Sequence, residues 1–119
     1  MNLYILDRNH VPVQIGNDQS DINHYLQWMS ESDNIIVRRD SIGLVHVSTV
    51  FLGMDHEWRQ DHQHQPVLFE TMVFDSKAFK GKQQRCCTWD QALTQHGQVL
   101  ASVLRSHLAE CRAKKRKKG

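Results

Sequence analysis

Apolar and polar residues alternate along two stretches in the middle of the chain, Leu44 to Gly53 (LVHVSTVFLG) and Pro66 to Asp75 (PVLFETMVFD). A period of two places successive side chains on opposite faces of a strand, and β-branched and aromatic residues favour that setting. In the first stretch Val45, Val47, Thr49 and Phe51 share one face, and Leu44, His46, Ser48, Val50 and Leu52 the other. Neither face is wholly polar, which predicts a central strand. In the second, Leu68, Glu70, Met72 and Phe74 alternate with Val67, Phe69, Thr71 and Val73. The two form a predicted hairpin around a polar, histidine-rich loop, and the remainder of the chain is expected to cover or extend it.

Upstream, Leu3 to Leu6 and Val11 to Ile15 read as short strands around an Asp7-to-His10 turn. Pro12 has no N–H to give a ladder, so its strand belongs at an edge. A helix is predicted from about Asp21 to Ser30, with Asp18 or Ser20 as N-cap. Ile22, Tyr25, Leu26 and Met29 recur at helical spacing as its buried stripe, with Trp28 at the margin. Ile35 to Arg39 is a third strand, and Asp40 to Gly43 a tight turn. Downstream, an exposed turn over 76–83 leads to a short strand over 84–87. Thr88 and Gln91 have capping-box spacing and open a long helix to about Ala113. Ala92, Leu93, His96, Val99, Leu100, Val103, Leu104, His107, Leu108 and Cys111 form its apolar stripe. Gly97 lies inside that helix at a cost of about 1 kcal/mol relative to Ala, which close packing on the sheet would explain. The pattern ββαβββ(β)α predicts an α+β fold: an antiparallel sheet of four to six strands with a long C-terminal helix on one face.

The length, 119 residues, fits one domain, expected over 1–111, with 112–119 as a basic flexible tail that frays. Apolar residues at 39% and charged residues at 24% exclude a disordered composition. No apolar run is long enough for a membrane span, and the N-terminus lacks a signal-peptide pattern, so a soluble, cytoplasmic protein with no membrane partner is expected. Three cysteines, two of them adjacent (Cys86 and Cys87), make a poor disulfide framework. That pair reads as two small residues on opposite sides of a strand, with a redox or metal role as the alternative. Six of the fifteen Lys and Arg lie between Arg112 and Lys118, leaving residues 1–111 with nine basic against thirteen acidic residues. An acidic body argues against a nucleic-acid-binding face on the folded part and moves any anion attraction to the tail.

Candidate chemistry gathers near the hairpin. Asp55 and His56 follow the first strand, and Glu70 lies within the second. A carboxylate on an inward face is costly unless paired, and His96 on the apolar stripe is one available partner. His56, Glu70 and His96 could then serve general acid/base work, the carboxylate orienting an imidazole. The competing reading leaves Glu70 in water and His96 as a satisfied core histidine. His62 and His64, with Asp55, His56 and Asp61 near in sequence, could ligate a metal, but a polar loop alone rarely supplies a fixed ligand set, and no cofactor is implied. Trp58, a large ring in a polar loop, suggests a ligand or partner contact. Arg112, Lys114, Lys115, Arg116, Lys117 and Lys118 suit phosphate contacts, or equally the negative end of the preceding helix.

The segments Val47–Gly53 with Asp55-His56, Leu68–Phe74, and Thr88-Trp89 with Ala92 and His96 resemble a family of small uncharacterised proteins of tailed phages, prophages and plasmids. The likeness spans Val47 to His96. Relatives carry a Gly-rich segment after the Asp-His, where this chain is rich in Gln and His. The resemblance implies a mobile-element accessory protein, a class that often binds and diverts a host factor. Two functions follow. The first is a binding protein that engages a host protein, nucleic acid or nucleotide-like ligand through Asp55, His56, Trp58, Glu70 and the basic tail, with an anti-defence or host-takeover role by association. The second is a small hydrolase of a phosphoester or nucleotide using His56, Glu70 and His96, or Asp55, His62 and His64 with a metal. The stripe on the last helix could equally support a homo-oligomer.

Overall fold

A computed structural model describes residues 2–56, 65–79 and 82–118, with residue 118 described for its backbone only. The fold is α+β, as the pattern predicts. The elements are β1 (Leu3–Leu6), β2 (Pro12–Ile15), α1 (Gln19–Ser30), a single turn α2 (Ser32–Ile35), β3 (Ile36–Ile42), β4 (Val45–Phe51), β5 (Phe69–Phe74), β6 (Gln83–Cys86) and α3 (Trp89–Lys118). The strands form two antiparallel sheets rather than one: β1–β2, and a meander ordered β3-β4-β5-β6. The small sheet joins the large one where β4 ends. Tyr4 N donates to Gly53 O at 2.9 Å, and Leu3 bridges Met54. Gly53 has φ +73°, and a Cβ there would lie 2.7 Å from the Tyr25 hydroxyl, so this junction requires glycine.

β4 is central, between β3 and β5, as its two mixed faces predict. Val47, Thr49 and Phe51 on β4 and Phe69, Thr71 and Val73 on β5 turn toward α3 and are buried. The register pairs Val47 with Val73, Thr49 with Thr71 and Phe51 with Phe69. The opposite face carries Ser48, Glu70, Met72 and Phe74. Pro12 sits at the start of β2, which pairs with β1. Asp18 caps α1, its side chain accepting from Asp21 N at 2.8 Å. Thr88 and Gln91 close the predicted capping box: Gln91 N donates to Thr88 Oγ1, and Gln91 Oε1 accepts from Thr88 N.

The structure departs from the expected elements at three places. On α1, Trp28 rather than Leu26 turns inward. The Trp28 ring meets Phe51 edge-on at 5.7 Å, whereas Leu26 is 59% exposed. A stripe of Ile22, Tyr25, Trp28 and Met29 fits the helical period equally well, and the larger ring fills the space. β3 runs on through Ile42, so the expected turn at Asp40 contracts to Gly43–Leu44, with Gly43 at φ +59°. On α3, Leu93, Leu104 and Leu108 remain exposed. The helix also continues past Ala113 to Lys118 instead of fraying, a run of Ala, Lys and Arg that favours helix and complements its negative end.

Gly97 does not serve close packing, since a Cβ there would meet nothing within 4 Å. Gly97→Ala is therefore expected to stabilise the chain by about 0.5–1 kcal/mol, through loss of unfolded-state freedom. Chemical denaturation checks this: an unchanged or lower midpoint would show a role for the glycine that packing does not reveal.

Candidate functional site

The polar side chains at the heart of the fold form one layer between two apolar ones. Above it lie Phe51, Phe69 and Ala92; below it Val47, Val73, Val99 and Val103. Between them Thr49 and Thr71, at consecutive inward positions of neighbouring strands, face His96 one turn beyond Ala92 on α3. Strand and helix periods thus bring the same three levels into register.

His96 is fully buried. Its Nδ1 lies 2.7 Å from Thr49 Oγ1, and its Nε2 lies 2.8 Å from Asp40 Oδ2. Thr49 Oγ1 and Thr71 Oγ1 are 2.7 Å apart, and Gln95 Nε2 donates to Thr71 Oγ1 at 2.9 Å and to Gln84 O at 3.0 Å. A backbone carbonyl accepts and never donates, which fixes the orientation of the Gln95 amide. With a neutral imidazole the proton order follows: Thr71 donates to Thr49, Thr49 to His96 Nδ1, and His96 Nε2–H to the Asp40 carboxylate. Among the described residues no buried side-chain polar atom lacks a partner. The layer is therefore complete, the condition under which buried polar groups favour one packing over its alternatives.

Asp40 reaches this layer through an irregularity. The β3–β4 register shifts between Ile36 and Arg38, with Val37 as the extra residue. The bulge changes which residues of β3 face α3, and brings Arg38 and Asp40 to that side. Arg38 Nε donates at 2.8 Å to the same Oδ2 that accepts from His96. The hydrogen bond from His96 first, and Arg38 after it, hold the Asp40 carboxyl below the usual carboxylate value, against the opposing effect of burial. A carboxylate with a depressed folded pKa contributes stability above its unfolded value and loses it as pH falls through the folded one. The melting-temperature gap between the parent and Asp40→Asn is thus expected to be widest near neutrality and to narrow below about pH 4. A gap that stays constant into acid would show that the charge contributes nothing.

The connectivity Thr49–His96–Asp40 has the order of a nucleophile, base and orienting acid. Burial decides against that role. Thr49 is 0% exposed, and its hydroxyl is shared with Thr71 beneath the helix, out of reach of a substrate.

Of the two readings, the pairing of Glu70 with a histidine is not what the structure shows; His96 is the satisfied core histidine of the other, although Glu70 is not in water as that reading had it. Glu70 is nearly buried, but on the sheet face away from α3, one position from Thr71, where Oε2 accepts from Arg85 Nε at 2.7 Å. Glu70 and Arg85 are direct cross-strand partners. His56 is exposed, its Nδ1 2.8 Å from Met54 O. His56, Glu70 and His96 therefore share no pocket. Asp55 Oδ1 accepts from Val67 N at 2.9 Å and ties the two ends of the hairpin together. Trp58, Asp61, His62 and His64 lie outside the described residues. Among the described residues no group of three His, Cys, Asp or Glu is arranged to hold a metal. Burial, with Cys87 beside it, pushes the Cys86 thiol up to about 11, a poor nucleophile at neutral pH.

Comparisons with protein-family models, curated proteins and solved structures return no match. What the chain does must therefore be read from its own surface. No helix among the described residues is long and apolar enough to cross a membrane. The strongest surface feature is the far end of α3. Every residue from Leu108 to Lys117 is exposed, so the helix extends beyond the sheet it packs on. Arg112, Lys115 and Arg116 are spaced i, i+3, i+4 and lie on one face; Lys114 and Lys117 lie behind it.

Proposed function

We propose that this chain is a binding protein that captures a polyanion, in the first instance a nucleic-acid backbone, on the basic extension of α3. The observation that supports the reading is the continuous, exposed helix carrying Arg112, Lys114, Lys115, Arg116 and Lys117 beyond the folded body. A frayed tail would have to be ordered on binding, at an entropic cost, whereas this helix already holds its cations at fixed spacing. The rest of the chain is net acidic, so attraction to phosphates is concentrated on this element. Contacts of this kind read charge rather than base identity.

The resemblance to mobile-element proteins extends the reading to a host partner, either a host nucleic acid or a host factor bound to one. The test is a fluorescence-anisotropy titration of two labelled duplexes of unrelated sequence. Binding of both, equal within about threefold, is expected of a backbone reader. Strong preference for one duplex, or binding of neither, counts against it.

A further inference from the structure

At the other end of α3, a cavity of about 300 Å³ opens between the β1–β2 turn, the α1–α2 junction and the first turn of α3. That volume is at the lower end of small-ligand pockets. Two indoles, Trp28 and Trp89, line it, together with Asp7, Arg8, His10 and Asp33. Both indoles are held from within by core phenylalanines: Trp28 edge-on to Phe51 at 5.7 Å, and Trp89 edge-on to Phe69 at 6.4 Å. Their placement is thus fixed by the core.

Two further features mark this cavity. His10 adopts φ +61°, in the left-handed region that a histidine enters at a cost, at the turn position where hairpins usually carry Gly or Asn. Its imidazole lies flat on Trp89, with centroids 3.8 Å apart and planes 8° apart. That face of Trp89 is therefore covered, and a planar, nitrogen-bearing guest reaches it by taking the place of the imidazole, whose release also relieves the left-handed backbone at His10. The carboxylates supply the complementary charge. Asp7 uses Oδ1 to accept from Asn9 N and Val11 N, which holds the turn in shape. Asp33 is exposed, with no hydrogen bond or ion pair among the described residues.

The geometry points to a guanidinium-binding pocket, in which an arginine side chain, or arginine itself, packs against Trp28, replaces the His10 imidazole on Trp89 and donates to Asp33 and Asp7. A guanidinium is planar, carries donors and no acceptor, and gains from both aromatic faces and carboxylates. A lysine ammonium offers a point charge with no plane to stack. Arg8 is the one fixed cation of the described lining, and the two carboxylates, Asp7 and Asp33, outnumber it, which favours a cationic guest.

Titration followed by the tryptophan indole ¹H–¹⁵N resonances of the full chain tests this, with a Trp58→Phe variant used to assign the remaining two. N-acetyl-arginine amide should shift the Trp28 and Trp89 signals to saturation at a concentration at least about fivefold below that for the lysine analogue. Asp33→Asn, an exposed change that leaves folding intact, should weaken the arginine response by about fivefold or more. Free arginine run beside an arginine-containing tripeptide separates the two sources: a tighter tripeptide means a partner protein's side chain, a tighter amino acid means a metabolite, and either supports the guanidinium assignment. Equal responses to arginine and lysine, no shift at all, an Asp33→Asn response equal to the parent's, or tighter saturation by adenosine or guanosine would overturn it.

Discussion

Replacing His96 with Ala is expected to cost about 3–5 kcal/mol of folding stability, as large as removing a core aromatic ring. Two penalties combine. The ring is fully buried between Val and Phe layers, so its loss leaves a cavity. It also joins Asp40 on β3 to Thr49 on β4 from the helix above, so its loss leaves the Thr49 hydroxyl and the Asp40 carboxylate each short of a partner. Domains of this size have about 5–15 kcal/mol in total, so the variant should be close to unfolding at physiological temperature. Two companions separate the penalties. His96→Leu fills the space without the hydrogen bonds and should lose less than His96→Ala. Thr49→Val keeps the shape but deprives His96 Nδ1 of its partner, at about 1–3 kcal/mol. Urea unfolding followed by circular dichroism gives all three values. A loss below about 1 kcal/mol for His96→Ala would mean that the polar layer does not organise the packing of α3 on the sheet.

Affinity for duplex DNA should fall steeply with salt, and by an amount that the helix geometry sets. The basic residues surround α3, so a single duplex cannot meet them all. The i, i+3, i+4 face of Arg112, Lys115 and Arg116 offers roughly three phosphate contacts, giving a slope of log K against log salt near −2.7. A fourfold rise in salt should then weaken binding roughly 40-fold. Replacing one of these three with Gln should lower the slope by about 0.9, and the same change at Lys114 or Lys117, behind the contact face, by clearly less. Slopes that respond equally at all five positions would describe a disordered charge cloud rather than an oriented helix.

The amino-acid pattern was informative wherever a local rule and the tertiary packing agree. The alternation of Val47, Thr49 and Phe51 placed β4 at the centre of the sheet, and the Thr88/Gln91 box located the start of α3 to the residue. It was misleading where a small backbone feature changes parity. Asp40 read as a turn residue because of Gly43 downstream, yet the strand continues and the bulge at Val37 aims Asp40 at His96. One of two readings paired Glu70 with His96, but a strand separates neighbours onto opposite faces, so an inward Thr71 turns Glu70 to the other face and Arg85, and His96 is the satisfied core histidine of the other reading. One signal for the buried layer was present: hydroxyls at inward positions of two paired strands, Thr49 and Thr71, opposite a histidine on an apolar helix stripe. Polar groups at matching depth on three elements are more readily satisfied by one another than by solvent. The Trp28–Trp89 cavity had no such trace, because its walls come from three separated segments.

The role assigned to the α3 extension is tested most directly by titrating a labelled duplex at low salt with the full chain and with a chain ended at Cys111. Residues 112–117 are exposed, so the shortened chain should keep its melting temperature. It should also lose measurable duplex binding, and equal affinity of the two chains would contradict the role of the extension.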